Sequence, residues 1–198
     1  MLPFDQNMQQ TFTADKTFDK VNFITDPLPK GEYEKCVFKN CEFSNVNLTD
    51  IKFIDCQFLA CNLSMAKLVK TMFSDIKFKD CKMLGLQFYN CNKFALTVSF
   101  DNCNLGHSSF FQCSLKKTVF KNTQLKEVDF SDCDLSAAVF ADCELTGAKF
   151  ENTNIEKADL RTSYNYSIDP TINKLKKAKF ALAGIAGLLD RFDIEIEN

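Results

Sequence analysis

Large apolar residues recur at every fifth position along most of this chain. In the first stretch 15 of 16 such positions are apolar: Phe18, Phe23, Leu28, Tyr33, Phe38, Phe43, Leu48, Phe53, Phe58, Leu63, Leu68, Phe73, Phe78, Met83 and Phe88, with Lys93 as the exception. A two-residue insertion between Asn92 and Ser99 shifts the register. The period then resumes from Phe100 to Leu160, where all 13 positions are apolar. The sequence is therefore one long tandem repeat.

A period of five excludes both a continuous helix and a continuous strand. Five residues of an α-helix make a full turn plus about 140°, which would spread the apolar residues around the cylinder. In a strand, an odd spacing would place successive large residues on opposite faces. The chain must therefore turn a corner every five residues, so that each large side chain points to a shared axis.

A small residue stands two positions before most of the large ones, and all ten cysteines occupy this small position. They are Cys36, Cys41, Cys56, Cys61, Cys81, Cys91, Cys103, Cys113, Cys133 and Cys143. We interpret them as buried thiols that serve packing. The alternative, metal or redox chemistry, is disfavoured because no CxxC pair occurs and because cysteines five apart point inward from different faces.

The segments Ala158-Asp159-Leu160-Arg161 and Cys133-Asp134-Leu135-Ser136 resemble the consensus of the pentapeptide-repeat family. The resemblance covers residues 14 to about 162. It implies an all-β fold, a right-handed quadrilateral β-helix in which four pentapeptides form the four faces of one coil. At a spacing of one coil, one column of the core contains Phe18, Phe38, Phe58, Phe78, Phe100, Phe120, Phe140, Leu160 and Phe180.

The repeat ends after Leu160. An Ala/Leu-rich segment, residues 181–192, predicts a short α-helix with Ile185, Leu188, Leu189 and Phe192 on one side. Residues 193–197 alternate acidic residues with Ile194 and Ile196 and predict an edge strand.

This C-terminal order resembles that of the Qnr and MfpA-like gyrase-interacting proteins, and the resemblance implies a homodimer. A lone apolar helix at the end of a rod would also favour a symmetric mate. The chain divides into an N-terminal cap (residues 1–13), the repeat domain (14–162, with a small bulge near 91–98) and a last coil with a dimerisation cap (163–198).

The charge of the chain is almost balanced, with a formal net charge of −2. This balance gives no global argument for binding nucleic acid or a membrane, and we predict no direct contact with either. The N-terminus has no signal-like segment, so we expect a cytoplasmic protein. Between Glu127 and Asp159, however, nine acidic residues face only Lys149 and Lys157. These acids predict an anionic belt, although a merely solvated surface is an equally good interpretation.

The family resemblance implies a DNA-mimicking partner of type II topoisomerases, gyrase or topoisomerase IV, that protects them from quinolones. The residues predicted to bind the partner are Asp129, Asp132, Asp134, Asp142, Glu144 and Asp159. The alternative is an adaptor rod that binds another protein through one face. The bulge near residues 91–98 either exposes Phe94 or buries it out of register.

Nothing in the sequence indicates an enzyme, a cofactor or a metal site. The single histidine, His107, is placed at an outward corner without a partner suggested by its spacing, so it is a poor base or ligand. No phosphate loop, nucleophile elbow or zinc signature occurs.

Overall fold

The computed structural model describes residues 11–197 and shows a β-solenoid of short parallel strands. The strands are β1 (Thr11–Ala14), β2 (Thr17–Asp19), β3 (Gly31–Glu34), β4 (Val37–Lys39), β5 (Lys52–Ile54), β6 (Gln57–Leu59), β7 (Met72–Ser74), β8 (Ile76–Lys79), β9 (Val98–Asp101), β10 (Val119–Lys121) and β11 (Val139–Ala141). The predicted fold class is confirmed. Most of the predicted N-terminal cap, residues 1–10, lies outside the described part of the chain.

The solenoid has four faces, each with one inward central residue per coil. Face 1 is the sheet β2-β4-β6-β8-β9-β10-β11, and face 4 is the sheet β1-β3-β5-β7 and its continuation to Leu175. Face 2 is centred on residues such as Phe43 and Leu125, and face 3 on residues such as Leu48 and Phe130. On faces 2 and 3 neighbouring coils join through single bridges between equivalent positions, for example Glu42 with Asn62.

Most corners are made by a residue in the left-handed region, two positions after the inward residue. The exceptions are Thr25, Lys30, Asn90 and Thr162. At the other non-glycine corners φ lies between 49° and 63°, as at Asp55, Asp132 and Lys157. This conformation is costly for residues with a Cβ, and Asn and Asp tolerate it best. Asn and Asp accordingly occupy many corners, and their backbone geometry explains how the chain can redirect itself every five residues.

The core is a set of stacked side chains along the axis. Phe120 is fully buried, with its ring centroid 5.2 Å from that of Phe100 and 4.9 Å from that of Phe140. Rings from opposite faces meet edge to face, as Phe120 of face 1 does with Phe130 of face 3 at 5.9 Å. The predicted column of Phe residues is therefore confirmed, and each buried ring contributes about 2–3 kcal/mol from its removal from water.

The ten cysteines are free and buried, as predicted. The in-register coils align all ten in three columns: Cys36 and Cys56 on face 1, Cys41, Cys61, Cys81, Cys103 and, beyond Thr123, Cys143 on face 2, and Cys91, Cys113 and Cys133 on face 4. Their thiols donate to core carbonyl groups, such as Cys61 Sγ to Phe38 O at 3.3 Å. Burial raises the pKa of Cys143 to about 12, which keeps this thiol protonated.

The two-residue insertion forms a bulge on face 4. Short 3-10 helices at Phe88–Asn90 and Lys93–Ala95 replace the usual corner, and β8 still pairs in register with β9, with Phe78 opposite Phe100. Leu96 is buried in the core, which explains why Lys93 breaks the apolar pattern. Phe94 is fully exposed. Of the two possibilities left open by the sequence, exposure is therefore correct and burial out of register is not.

The C-terminal segment departs from its prediction in two ways. It forms 3-10 helices at Leu182–Leu188 and Asp190–Phe192 instead of an α-helix. Three residues per turn bring Gly184 and Gly187 to the same side, against Tyr166, where a Cβ on either would lie 2.0 Å from a Tyr166 atom.

The predicted edge strand over residues 193–197 is not formed. These residues are exposed and have no neighbouring strand in the single chain, and an edge strand needs such a neighbour. No helix within residues 11–197 is long and apolar enough to cross a membrane.

Candidate functional site

The nine acidic residues of the predicted belt lie on all four faces. Glu127 and Glu144 belong to face 2, Asp129, Asp132 and Glu151 to face 3, Asp134 and Glu156 to face 4, and Asp142 and Asp159 to face 1. All are at outward positions, partly or fully exposed. The solenoid therefore distributes these carboxylates around the rod instead of gathering them on one face.

Four of the six predicted binding residues also stabilise the backbone. The carboxylates of Asp129, Asp134, Glu144 and Asp159 each accept the backbone N–H two residues later, at 2.9, 3.0, 2.8 and 3.3 Å. Asn62 does the same in an earlier coil, at 3.2 Å. These carboxylates thus have a structural role that an amide can fill, whereas Asp132 and Asp142 are corner residues exposed to solvent.

Two of the four acids on faces 1 and 4, Asp134 and Asp159, are neutralised by cations. Asp159 lies 2.7 Å from Arg161 and 3.7 Å from Lys179, and Asp134 lies 3.3 Å from Lys116. Hydrogen bonds from Arg161 lower the pKa of Asp159 to about 2. Partial burial would raise the pKa of Asp134, but hydrogen bonds from Ser136 and Lys116 outweigh it and lower the pKa.

Six of the nine acids have no cation within 4.0 Å in the described chain, and five of them lie on the other two faces or at the corners that bound those faces; the sixth is Glu156 on face 4. The five on these faces and corners, which we call the acidic side, are Asp129, Asp132, Asp142, Glu144 and Glu151. The candidate interaction surface is therefore narrower than the belt predicted from the sequence, because ion pairs remove Asp134 and Asp159 from it.

His107 has a carboxylate partner that sequence reasoning missed. Its Nδ1 lies 3.1 Å from Glu127 Oε2, and both side chains are exposed corner residues. The sequence could have revealed this pair, because a separation of one coil places the two residues at equivalent positions of adjacent coils. Within residues 11–197 no group of three or more His, Cys, Asp or Glu side chains is arranged to hold a metal ion.

A second surface was also missed, an apolar stripe on face 3. Val69, Tyr89 and Phe111 occupy the same outward position in successive coils; Val69 and Tyr89 are exposed and Phe111 is partly buried. Lys93 of the bulge reaches Phe111 O at 3.5 Å, and the next residue of the bulge, Phe94, is fully exposed. Comparing residues separated by one coil, with the two inserted residues added where they fall, would have revealed this stripe.

The predicted dimerisation residues divide into two groups. Ile185, Phe192, Ile194 and Ile196 are exposed, whereas Leu188 and Leu189 are partly buried, and Leu188 packs against the core. Leu182 was not predicted, yet it is 91% exposed. The end of the rod therefore presents an apolar surface to solvent.

The fold and its period define the class of protein. The family model for the pentapeptide repeat region matches residues 32–97 and 92–160. The chain therefore belongs to the pentapeptide-repeat family.

Among solved structures, the chain is similar to QnrB1, a plasmid-mediated fluoroquinolone resistance protein. A trypsin-treated variant of QnrB1 matches with 20% identity over 95% of this chain and 98% of that chain, with a TM-score of 0.57. Full-length QnrB1 matches with 19% identity over 93% and 100% of the two chains, with a TM-score of 0.51. At these identities the likeness establishes the fold. No curated protein matches the sequence.

Proposed function

We propose that this protein is a non-enzymatic partner of a type II topoisomerase, gyrase or topoisomerase IV, and that it binds through the acidic side in place of DNA. The observation that carries the proposal is the set of carboxylates without cations on faces 2 and 3 and their corners. The fold that it shares with a fluoroquinolone resistance protein adds support, and protection from quinolones is the expected consequence.

The physical basis is electrostatic attraction between the carboxylates and a surface of the partner that normally binds phosphate groups. Lysine and arginine side chains on such a surface gain affinity by neutralising anionic groups and releasing their counterions. Carboxylates in successive coils lie about 4.8 Å apart along the rod, because adjacent coils are hydrogen-bonded like neighbouring strands. A rigid rod presents these charges without an ordering cost on binding.

The test is a supercoiling assay of gyrase with the full chain, with and without a quinolone. The informative variant combines Asp129→Asn, Asp132→Asn, Asp142→Asn and Glu144→Gln, because an amide can still accept the backbone N–H at Asp129 and Glu144. We expect a loss of effect of at least about tenfold, as for the removal of several charged contacts at an interface.

The matched control makes the same change in charge at a different part of the rod. It combines Glu34→Gln with Asn at Asp55, Asp75 and Asp80, three acidic corner residues like Asp132 and Asp142. The control is expected to retain its effect. An acidic-side variant that is folded and fully active would contradict the proposal.

We also propose that the protein forms a homodimer through its C-terminal end. Leu182, Ile185, Phe192, Ile194 and Ile196 are exposed there, and the unpaired residues 193–197 offer backbone groups to a second chain. Covering such a surface with a second copy removes apolar area from water and satisfies the symmetry of an isologous contact.

The second candidate function is an adaptor rod, favoured by the apolar stripe of Val69, Tyr89 and Phe111 and by exposed Phe94 of the bulge. Exposed aromatic residues are typical anchors of protein interfaces. The supercoiling assay separates the two candidates when Tyr89→Ser and Phe94→Ser are combined. This variant should leave an effect on gyrase unchanged if the acidic side binds the enzyme.

A further inference from the structure

The four-sided geometry gathers lysine residues along the C-terminal part of one corner of the rod, between faces 4 and 1, whereas earlier coils have Asp55 and Asp75 at this corner. Lys117, Lys157 and Lys177 are corner residues of one column, with φ of 59°, 62° and 62°. Lys157 N donates to Lys176 O at 3.0 Å, which fixes the last two coils against each other. We define the basic edge as Lys117, Lys157, Lys174, Lys176, Lys177 and Lys179.

The lysines of the basic edge are exposed and mostly without counter-charges. Of the six, only Lys179 has a carboxylate within 4.0 Å in the described chain, Asp159 at 3.7 Å. Lys157 and Lys177 are one coil apart, about 4.8 Å along the axis. Like charges at this distance repel, and an anion that spans them would relieve the repulsion.

The sequence does contain this cluster of lysines, but the net charge of the whole chain conceals it. Between Asp169 and Asp190 there is no acidic residue, and four lysines stand at positions 174, 176, 177 and 179. On the other side of the rod lie the five carboxylates of the acidic side, whereas Glu156, also without a cation within 4.0 Å in the described chain, lies among the lysines. The cross-section is therefore polarised, with an anionic and a cationic side, although the whole chain has a formal net charge of only −2.

We propose that the basic edge binds the phosphate backbone of duplex DNA without regard to sequence. The outward residues between the lysines, such as Ser136, Ala137 and Glu156, include no aromatic side chain on which an unpaired base could stack, which argues against a single-stranded ligand. The exposed apolar residues beside the edge are Val119 and Val139, which are smaller than the aromatic anchors that protein interfaces use. Lysines aligned along an edge match what a phosphate backbone requires.

This inference goes beyond the proposed function and differs from the sequence-based expectation that nucleic acid is not contacted. The two surfaces lie on different sides of the rod, so one can be occupied while the other is free. A protein with both could hold a topoisomerase on its acidic side and a DNA segment on its basic edge.

The test is fluorescence anisotropy of the full chain with a labelled duplex of about 30 base pairs. At about 50 mM KCl we expect a Kd on the order of micromolar, as for weak non-specific binding, and a loss of at least tenfold by about 200 mM. The variant that combines Gln at Lys157, Lys174, Lys176 and Lys177 should bind at least about tenfold more weakly, because it loses up to four phosphate contacts.

The matched control carries Gln at Lys67, Lys70, Lys82 and Lys126, exposed lysines of faces 2 and 3 without ion pairs. It makes the same change in charge and should bind within about twofold of the wild type, since these lysines lie outside the basic edge. Thermal unfolding of both variants verifies their fold. The lysine variant should also keep any effect on supercoiling, which separates this inference from the proposed function.

Three results would overturn the proposal. The first is no binding of the duplex by the wild type at about 50 mM KCl, where electrostatic contacts are strong. The second is an equal loss in the control variant. The third is tighter binding of poly-glutamate or of a single strand of the same length, which would assign the edge to an acidic protein or to unpaired nucleic acid.

Discussion

The stacked coils and the C-terminal cap shield the apolar core from solvent in different ways. In the coils between residues 31 and 163, backbone N–H groups donate to the neighbouring coil, and inward residues such as Phe110 and Leu145 are fully buried. In the cap, Phe192 N–H donates only to Leu189 O, and Phe192 itself is 47% exposed. The coils complete one another, whereas the cap covers the last coil and leaves its own outer side uncovered.

This difference predicts that stability and the proposed association reside in separate parts of the chain. A stacked coil is stabilised by the coils on either side of it, so its residues determine the free energy of unfolding. The outer side of the cap has no such neighbours, and a second chain is the natural source of them. Substitutions in the two regions should therefore change different measurements.

The largest expected effect is that of Phe120→Ala on unfolding. The ring is buried between those of Phe100 and Phe140, so its removal leaves a cavity and should cost about 3–5 kcal/mol in chemical denaturation. The comparison variant is Phe192→Ala, which should change the free energy of unfolding of the monomer by less than about 1 kcal/mol.

Phe192→Ala should instead weaken the dimer, as seen by light scattering over a range of concentrations. The proposed homodimer has twice the mass of the 22.6 kDa chain. A wild-type protein that remains at the mass of one chain at micromolar concentration would rule out the dimer. An equal loss of stability in the two variants would contradict the division between coils and cap.

The second effect, of intermediate size, is that of Gly187→Ala. An added Cβ would lie 2.0 Å from Tyr166 O, a backbone atom, so the cap has to move away at a cost of about 1–3 kcal/mol. Hydrogen exchange should increase at Ile168, whose N–H donates to Gly187 O at 2.8 Å, and the dimer should weaken.

Gly106→Ala provides the control for this substitution. Its Cβ would have as nearest neighbour a side-chain atom, Asn104 Oδ1, at 3.3 Å, and a small shift of that side chain accommodates it. Exchange at Ile168 should then be unchanged. If Gly187→Ala leaves exchange and mass unaltered, the cap does not depend on close contact with Tyr166.

The smallest effect concerns pH. Arg161 lowers the pKa of Asp159 to about 2, below its ordinary value of 3.8, so the unfolded chain binds this proton more readily. The stabilisation is therefore present above about pH 4 and is lost as the pH falls towards 2. For a partly exposed pair it amounts to about 1 kcal/mol or less.

The measurement is the difference in the free energy of unfolding between the wild type and Asp159→Asn as a function of pH. This difference should shrink below about pH 4, because protonation removes the same charge. Arg161→Gln should behave in the same way, since its guanidinium is the main cause of the shift. A difference that does not change with pH would show that the ion pair contributes nothing to stability.

Much of the fold could be predicted because each repeat of five residues corresponds to one face and one corner of the solenoid. Phe18, Phe38 and Phe58 are in register because identical spacing puts identical side chains in one column, and the cysteines follow from the same rule. The bulge was predicted from the lost register, but the burial of Leu96 in place of Lys93 depends on how the extra residues turn.

The candidate site was less accessible from the sequence, because its properties arise between coils. The pairing of Asp134 with Lys116, and of His107 with Glu127, joins residues of adjacent coils that are distant in the sequence. A count of charges along the chain treats these acids as equivalent to Asp132, which has no such partner. The 3-10 cap was missed because Ala/Leu composition does not report how Gly184 and Gly187 pack on Tyr166.

The corners of the solenoid also determine how its surface can change. Removing or adding one whole coil would leave every later side chain on its original face. Removing a single pentapeptide would instead rotate everything downstream by a quarter turn, so that Glu151, now in the column of Val69 and Tyr89, would join the column of Ser64 and Lys126. In such a protein the loss or gain of one repeat is a way to aim a surface in a new direction without altering the core.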